Sequence, residues 1–294
     1  MFKNKSLTYI ILVFVLTGLY SLLYLKFPIK IGEPVSFVIT IFYMFIPLIA
    51  TFILQLGVYK EPLKDINIIW KWSNWYIVAA LLPIVLMFLS LGISLLFPGV
   101  VYDPSMSGFL ENLAKKLSPA QMEKSLASIK PMMKYMMIIT LGQALLAGVT
   151  VNAVAAFGEE AGWRGFLLSS LKGRNFYVAS IIIGLVWGFW HAPVIIQGHN
   201  YPEHPQMGIF MMAVFTMLLT PIMVYLTMKS GSVIAAAVFH GTMNASAGMA
   251  IMVIRGGNDL TVGLTGVSGF MALLIINIAL FLYDRFVAKE KIII

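Results

Sequence analysis

Apolar residues fill Leu7–Leu25, Val35–Gly57, Trp75–Phe97, Met132–Leu171, Tyr177–Ile196, Met207–Met228, Ser232–Val253 and Val267–Tyr283, with short polar links between them. Each run reaches the roughly 20 residues that a helix needs to cross a hydrocarbon core, and the fourth far exceeds it. The pattern predicts an all-α fold, a polytopic membrane helix bundle of about eight transmembrane helices with both termini on one side. Between Pro98 and Pro131 the pattern changes. There Leu110, Leu113, Leu117, Met122, Leu126 and Ile129 recur among lysines and glutamates, the spacing of one or two amphipathic helices lying on the membrane surface. The expected organisation is a single membrane domain over 1–294, with 98–131 as the surface segment and 132–252 as the helical core that carries the chemistry. Lys3 and Lys5 precede the first run and no small-residue cleavage site follows it, which predicts an uncleaved anchor.

Composition agrees with this pattern. The 294 residues are 60% hydrophobic and 11% charged, far from the balance of a soluble domain. The net charge of +8 is scattered between apolar runs, which points to a lipid bilayer surface and to no nucleic acid partner. With no cysteine, disulfides, iron–sulfur clusters, thiolate zinc sites and a cysteine nucleophile are excluded. Trp70, Trp72, Trp75 and Tyr76 form an expected interfacial belt.

Charge bias orients the bundle. With the termini inside, the inner segments hold Lys3, Lys5, Lys60, Lys64, Lys71, Arg164, Lys172, Arg174, Lys229, Arg285, Lys289 and Lys291, while the short outer loops hold Lys26, Lys30 and Arg255. Lys115, Lys116, Lys124, Lys130 and Lys134 fall in or just after the amphipathic stretch. The expectation is cytoplasmic termini in a cell membrane, a bacterial plasma membrane by the absence of any eukaryotic targeting signal.

Against this apolar background the stretch Phe157-Gly-Glu-Glu-Ala-Gly-Trp-Arg164 stands out. An ionisable group at mid-membrane costs about 2.5–3.5 kcal/mol on insertion scales, so it pairs, faces a cavity or carries function. Glu160 and Arg164 are four apart with the acid N-terminal, the favourable ion-pair order on a helix. Glu159 lies about 100° round from that pair and is left for chemistry. Of the four histidines, His199 and His204 fall in the polar link before the sixth run, and His191 and His240 fall inside runs. Pro193 is expected to kink or end the helix just past His191, and Asn244 shares a face with His240, four residues earlier. At about 1.5 Å per residue, Glu159, His191 and His240 stand roughly 20, 21 and 15 Å above the inner boundary of a core about 30 Å thick. Gly158, Gly162, Gly165 and Gly188 would allow close helix approach.

A carboxylate and an imidazole at one depth can hold and deprotonate a water that attacks a carbonyl carbon. A second imidazole and an amide can donate to the developing oxyanion. Zinc held by Glu159, His191 and His240 is the alternative use of the same donors. The Glu-Glu-x-x-x-Arg of Glu159–Arg164, the aromatic-x-x-x-His of Trp187–His191 and the His-x-x-x-Asn of His240–Asn244 resemble, in order and combination, the three motifs of the CAAX-protease and bacteriocin-processing (abortive infection) family of intramembrane proteases, over roughly Leu141–Ile251. The family often has Phe where this chain has Trp187. The resemblance implies an eight-helix, glutamate-dependent, type II CAAX prenyl endopeptidase-like protein, and catalysis without a cofactor is favoured over zinc. Glu159 and His191 would activate water, His240 and Asn244 would form the oxyanion hole, and Glu160 with Arg164 would support them. Trp163, Trp187 and Phe189 are the expected aromatic lining of a substrate pocket, and the expected substrate is a hydrophobic or membrane-anchored peptide or protein. Two rivals use the same polar residues differently: a non-catalytic immunity or scaffold protein, and a proton-coupled transporter.

Overall fold

In the computed structural model, which describes residues 4–26, 34–114 and 117–293, the chain is a helical bundle with one small β-ribbon. Lys3, Lys30, Lys115 and Lys116 of the charge pattern lie outside the described residues. Helix α1 (Lys5–Lys26) is followed by α2 (Pro34–Met44) and α3 (Ile46–Phe52), which continues into a π-helical turn, Ile53–Val58. Helix α4 (Trp75–Ser94), strand β1 (Val101–Tyr102), and helices α5 (Ser107–Ala114) and α6 (Pro119–Ile129) come next. A 3₁₀ turn leads from α6 to α7 (Met136–Val149), α8 (Val151–Glu160), a π-helical turn at Ala161–Leu167 and α9 (Leu168–Ser170). The remaining elements are α10 (Phe176–Trp190), α11 (Ala192–Ile195), α12 (Pro205–Ser230), α13 (Val233–Ser246), α14 (Met249–Met252), β2 (Ile254–Arg255) and α15 (Val267–Phe286).

Eight helices among the described residues are long and apolar enough to cross a membrane, as the hydrophobic pattern predicts. The fourth differs in detail. Its apolar part runs from Pro119 to Val149, so α6 joins the same helical path as α7, and α6 buries none of its side chains. The overlong run is then broken at Thr150, whose φ of −118° and ψ of −98° leave helical space. The path does not reverse there. Ala144 packs with Met249, Gly148 meets Thr242, Glu160 meets His240 and Gly165 meets Val233, so α7, α8 and the π turn descend in sequence against an ascending α13.

Local chemistry sets the helix ends. Asn175 accepts the Tyr177 N–H at 2.9 Å to start α10, and Ser232 accepts the Ile234 N–H at 3.2 Å to start α13. Gly231, at φ +68°, closes α12 in the left-handed conformation. Asp103 accepts from the Ser107 N–H at 2.7 Å at the head of α5, and the hydroxyls of Ser105 and Ser107 hold its carboxyl well below the usual carboxylate range. The ribbon pairs Val101 with Arg255 and Tyr102 with Ile254, tying the link after α4 to the end of α14.

Small residues let the helices that frame the core approach closely. A Cβ added at Gly188 would lie 2.4 Å from Ala213 Cα, where α10 packs on α12, and one at Gly158 would lie 2.8 Å from the Met44 carbonyl oxygen. Gly162 is tucked against Tyr9 and Pro47, and Gly165 against Ile66, so the four glycines of the motif region do serve packing.

Candidate active site

Glu159 and Glu160 end α8, and both side chains are buried. The π-helical turn that begins one residue later carries Trp163 and Arg164, also buried. Single π turns inside helices recur at functional sites because the widened turn re-aims side chains without ending the helix. The ion pair expected of Glu160 and Arg164 is present. Arg164 NH1 donates to Glu160 Oε1 at 3.0 Å and lies 3.0 Å from Oε2, while its NH2 donates to the hydroxyl of Thr220 at 3.0 Å. Glu159 lines a cavity of about 490 Å³.

Glu160 has a second partner that helix spacing alone did not indicate. His240 Nδ1 sits 2.9 Å from Glu160 Oε1, so α13 is bound to α8 through a carboxylate already shared with arginine. The contact leaves Nε2 as the free nitrogen of His240, a residue that lines the cavity. His191 caps the end of α10, and its Nδ1 donates to the Trp187 carbonyl at 2.8 Å. Donation from Nδ1 leaves Nε2 of the neutral ring as an acceptor, the form a general base needs. Asn244 lies one turn beyond His240 and lines the same cavity. Glu159, His191, His240 and Asn244 are thus brought together by α8, α10 and α13.

Trp187 connects them. Its indole N–H donates to Glu159 Oε2 at 2.7 Å, and its ring lies beneath the Arg164 guanidinium with Cζ 4.3 Å from the centroid. The same ring meets His240 edge-on at 5.4 Å, and the Trp187 carbonyl holds His191. A buried guanidinium over an indole face is a favourable electrostatic contact. Two buried carboxylates against one arginine leave the cluster one positive charge short, and a proton on His240 or Glu159 makes it neutral, which a buried site requires.

Two aromatic side chains expected in the pocket lie elsewhere. Phe189 is 40% exposed on the outside of α10, about 200° round the helix from Trp187. Trp163 is buried behind the site, its ring 5.9 Å from Tyr9 and 5.7 Å from Trp190. Trp187 does line the cavity. The sequence pattern missed Tyr43, which lines the cavity from α2 and donates to the Trp190 carbonyl at 2.6 Å, and Thr220, the second anchor of Arg164. Neither carries a signal, since a tyrosine or threonine in an apolar run is ordinary. His199, placed in a loop by the pattern, is in the loop and also lines the cavity.

Among the described residues, the one grouping of three acidic or histidine ligand atoms within 4.8 Å of one another is Glu203, His204 and Asp259. Glu159, His191 and His240 do not form such a grouping. In the loop cluster, His204 Nδ1 is bonded to Asp259 Oδ1 at 2.6 Å, and Asp259 Oδ2 accepts the Glu203 and His204 N–H groups, so the aspartate staples the start of α12.

Helices long enough to span a bilayer, with Glu159, Glu160, Arg164 and His240 buried beside a cavity that His191 and Asn244 also line, define a multi-pass membrane protein with a polar site inside the bundle. Residues 141–246, which hold all three motifs, match the family described as Type II CAAX prenyl endopeptidase Rce1-like. CAAX prenyl protease 2 of Methanococcus maripaludis is 31% identical over 149 residues, a match that covers 47% of this chain and 50% of that protein. The chain therefore spans about half the length of the curated relative it matches.

Proposed function

We propose that the chain is an intramembrane endopeptidase that hydrolyses peptide bonds with a water activated by Glu159 and His191. The observation that carries this reading is the single cavity onto which Glu159, His191, His240 and Asn244 all open, with Glu160 and Arg164 withdrawn behind it. In the proposed cycle Glu159, as carboxylate, takes a proton from water while Nε2 of His191 orients that water, and the hydroxide adds to the scissile carbonyl carbon. The carbonyl oxygen becomes an oxyanion and accepts from the Asn244 amide and from Nε2–H of protonated His240, whose charge Glu160 balances. As the C–N bond breaks, the proton held by Glu159 passes to the leaving nitrogen, and the carboxylate is restored. Glu160, Arg164 and Thr220 keep their places throughout. A substrate that is hydrophobic or anchored in the membrane fits the aromatic and aliphatic walls.

Cleavage of a quenched-fluorescent peptide library by the purified full chain in detergent tests this. The wild type cleaves, Glu159→Ala is inactive, and a zinc chelator changes neither result. Loss of wild-type cleavage in chelator would replace the glutamate mechanism with zinc. A wild type that cleaves neither lipidated nor unlipidated peptides would leave the scaffold reading standing.

A further inference from the structure

The two ends of the bundle can be told apart by contacts across it. At one end, Lys5 binds Glu61 at 2.6 Å, the Ser232 hydroxyl donates to the Ile69 carbonyl at 2.6 Å, Lys229 meets the Glu290 carbonyl, and Asp284 accepts the Ile292 and Ile293 N–H groups at 3.0 Å. The first and last described residues, Asn4 and Ile293, belong to this end. At the other end, Tyr201 donates to the Thr265 carbonyl at 2.8 Å, the Glu203 N–H donates to Asp259 at 2.7 Å, and β1 pairs with β2.

The cavity belongs wholly to the second end. Its walls come from the last turns of α1, the second half of α2, the close of α10, the first half of α12, the last turns of α13 and the links at His199 and Thr265. Toward the termini it is sealed, because Trp163, Arg164, Phe166, Thr220 and Val224 are all buried.

Charge separates the ends as well. Among the described residues the terminal end carries ten lysines and arginines, the inner set given above without Lys3 and buried Arg164, against Glu61, Asp65, Asp284 and Glu290. The cavity end carries Lys124, Lys130, Lys134 and Arg255 against Asp103, Glu111, Glu123, Glu203 and Asp259 among the described residues; the sequence of the neighbouring links adds Lys26, Lys30, Lys115, Lys116 and Glu33, which still leaves a smaller positive excess than the terminal end carries. The basic end of a multi-pass protein stays in the cytoplasm, with lysine and arginine setting the orientation. The basic end here is the one without the cavity.

We propose that the cavity opens on the extracytoplasmic face of the membrane and receives polypeptide exposed there, an exported peptide or the outer segment of a membrane protein, with an apolar side chain entering between Met44, Phe215 and Leu264. The substrate class rests on the endopeptidase reading; the side from which substrate comes does not. A protease with this orientation acts on chains that have already crossed or entered the membrane, so its substrates are supplied by protein export.

The absence of cysteine makes the test direct. Glu203→Cys at the cavity end and Arg174→Cys at the terminal end are both exposed sites outside the candidate machinery. In intact cells, a membrane-impermeant maleimide labels Glu203→Cys, and it labels Arg174→Cys only after permeabilisation. The reverse pattern, or equal labelling of both in intact cells, overturns the proposal. Labelling needs no catalysis, so a chain that labels as expected but cleaves nothing when purified would refute the endopeptidase reading and leave the orientation standing. For an active chain, a cleavable peptide added outside intact cells is cut by the wild type and not by Glu159→Gln; cutting only after permeabilisation overturns the proposed side.

Discussion

Trp187→Phe isolates one hydrogen bond at the centre of the site. The substitution keeps an aromatic ring under Arg164 and beside His240, and it keeps the backbone carbonyl that holds His191 Nδ1. It removes the indole N–H that lies 2.7 Å from Glu159 Oε2. A hydrogen bond to a charged group contributes about 1.5–3 kcal/mol, and at about 1.4 kcal/mol per decade its loss corresponds to roughly a 10- to 150-fold fall in kcat/KM. The fall belongs in kcat, because the bond orients the proposed base and does not contact the peptide. KM is expected to stay at the wild-type value. Peptide cleavage measured over a full substrate range separates the two, and thermal unfolding in detergent confirms that the variant is folded. A folded Trp187→Phe with wild-type kcat would refute the claim that the indole N–H positions Glu159, and a change confined to KM would make Trp187 a wall of the substrate pocket instead.

The buried ion pair gives a stability prediction. Arg164→Met leaves Glu160 buried with only His240, and Glu160→Gln leaves Arg164 with Thr220, so each single change should cost about 3–5 kcal/mol, with the double variant more stable than either. Equilibrium or thermal unfolding of the three variants measures this, and additive losses would contradict it. Gly188→Val places side-chain atoms against Ala213, where even a Cβ lies 2.4 Å from Cα, and overpacking of this kind costs about 1–3 kcal/mol. An unchanged unfolding midpoint would show that α10 and α12 can separate freely.

The course of α10 shows how far a sequence pattern reaches. Trp187 and His191 are four apart and therefore share a face, while Phe189 lies two residues from each and faces the other way. The same arithmetic that paired Glu160 with Arg164 thus held the information that Phe189 and Trp187 could not both line one pocket. Trp163 was harder to place, because its π-helical turn departs from the regular angular step on which such arithmetic rests.

The sequence by itself determined the membrane class, the number of the apolar helices, the approximate extent of all but the fourth, and the residues of the three motifs. Hydrophobic length and helical periodicity are local properties, and a charge in an apolar run is visible wherever the helix ends up. Only the tertiary structure decided that His240 bonds to Glu160, that Trp187 joins four members of the site, and that the cavity lies at the end away from the termini. Periodicity gives the angle between residues on one helix but not the rotation of that helix against its neighbours. The packing of Gly148 on Thr242 and of Gly188 on Ala213 sets that rotation, and with it which nitrogen, carboxylate or indole meets which.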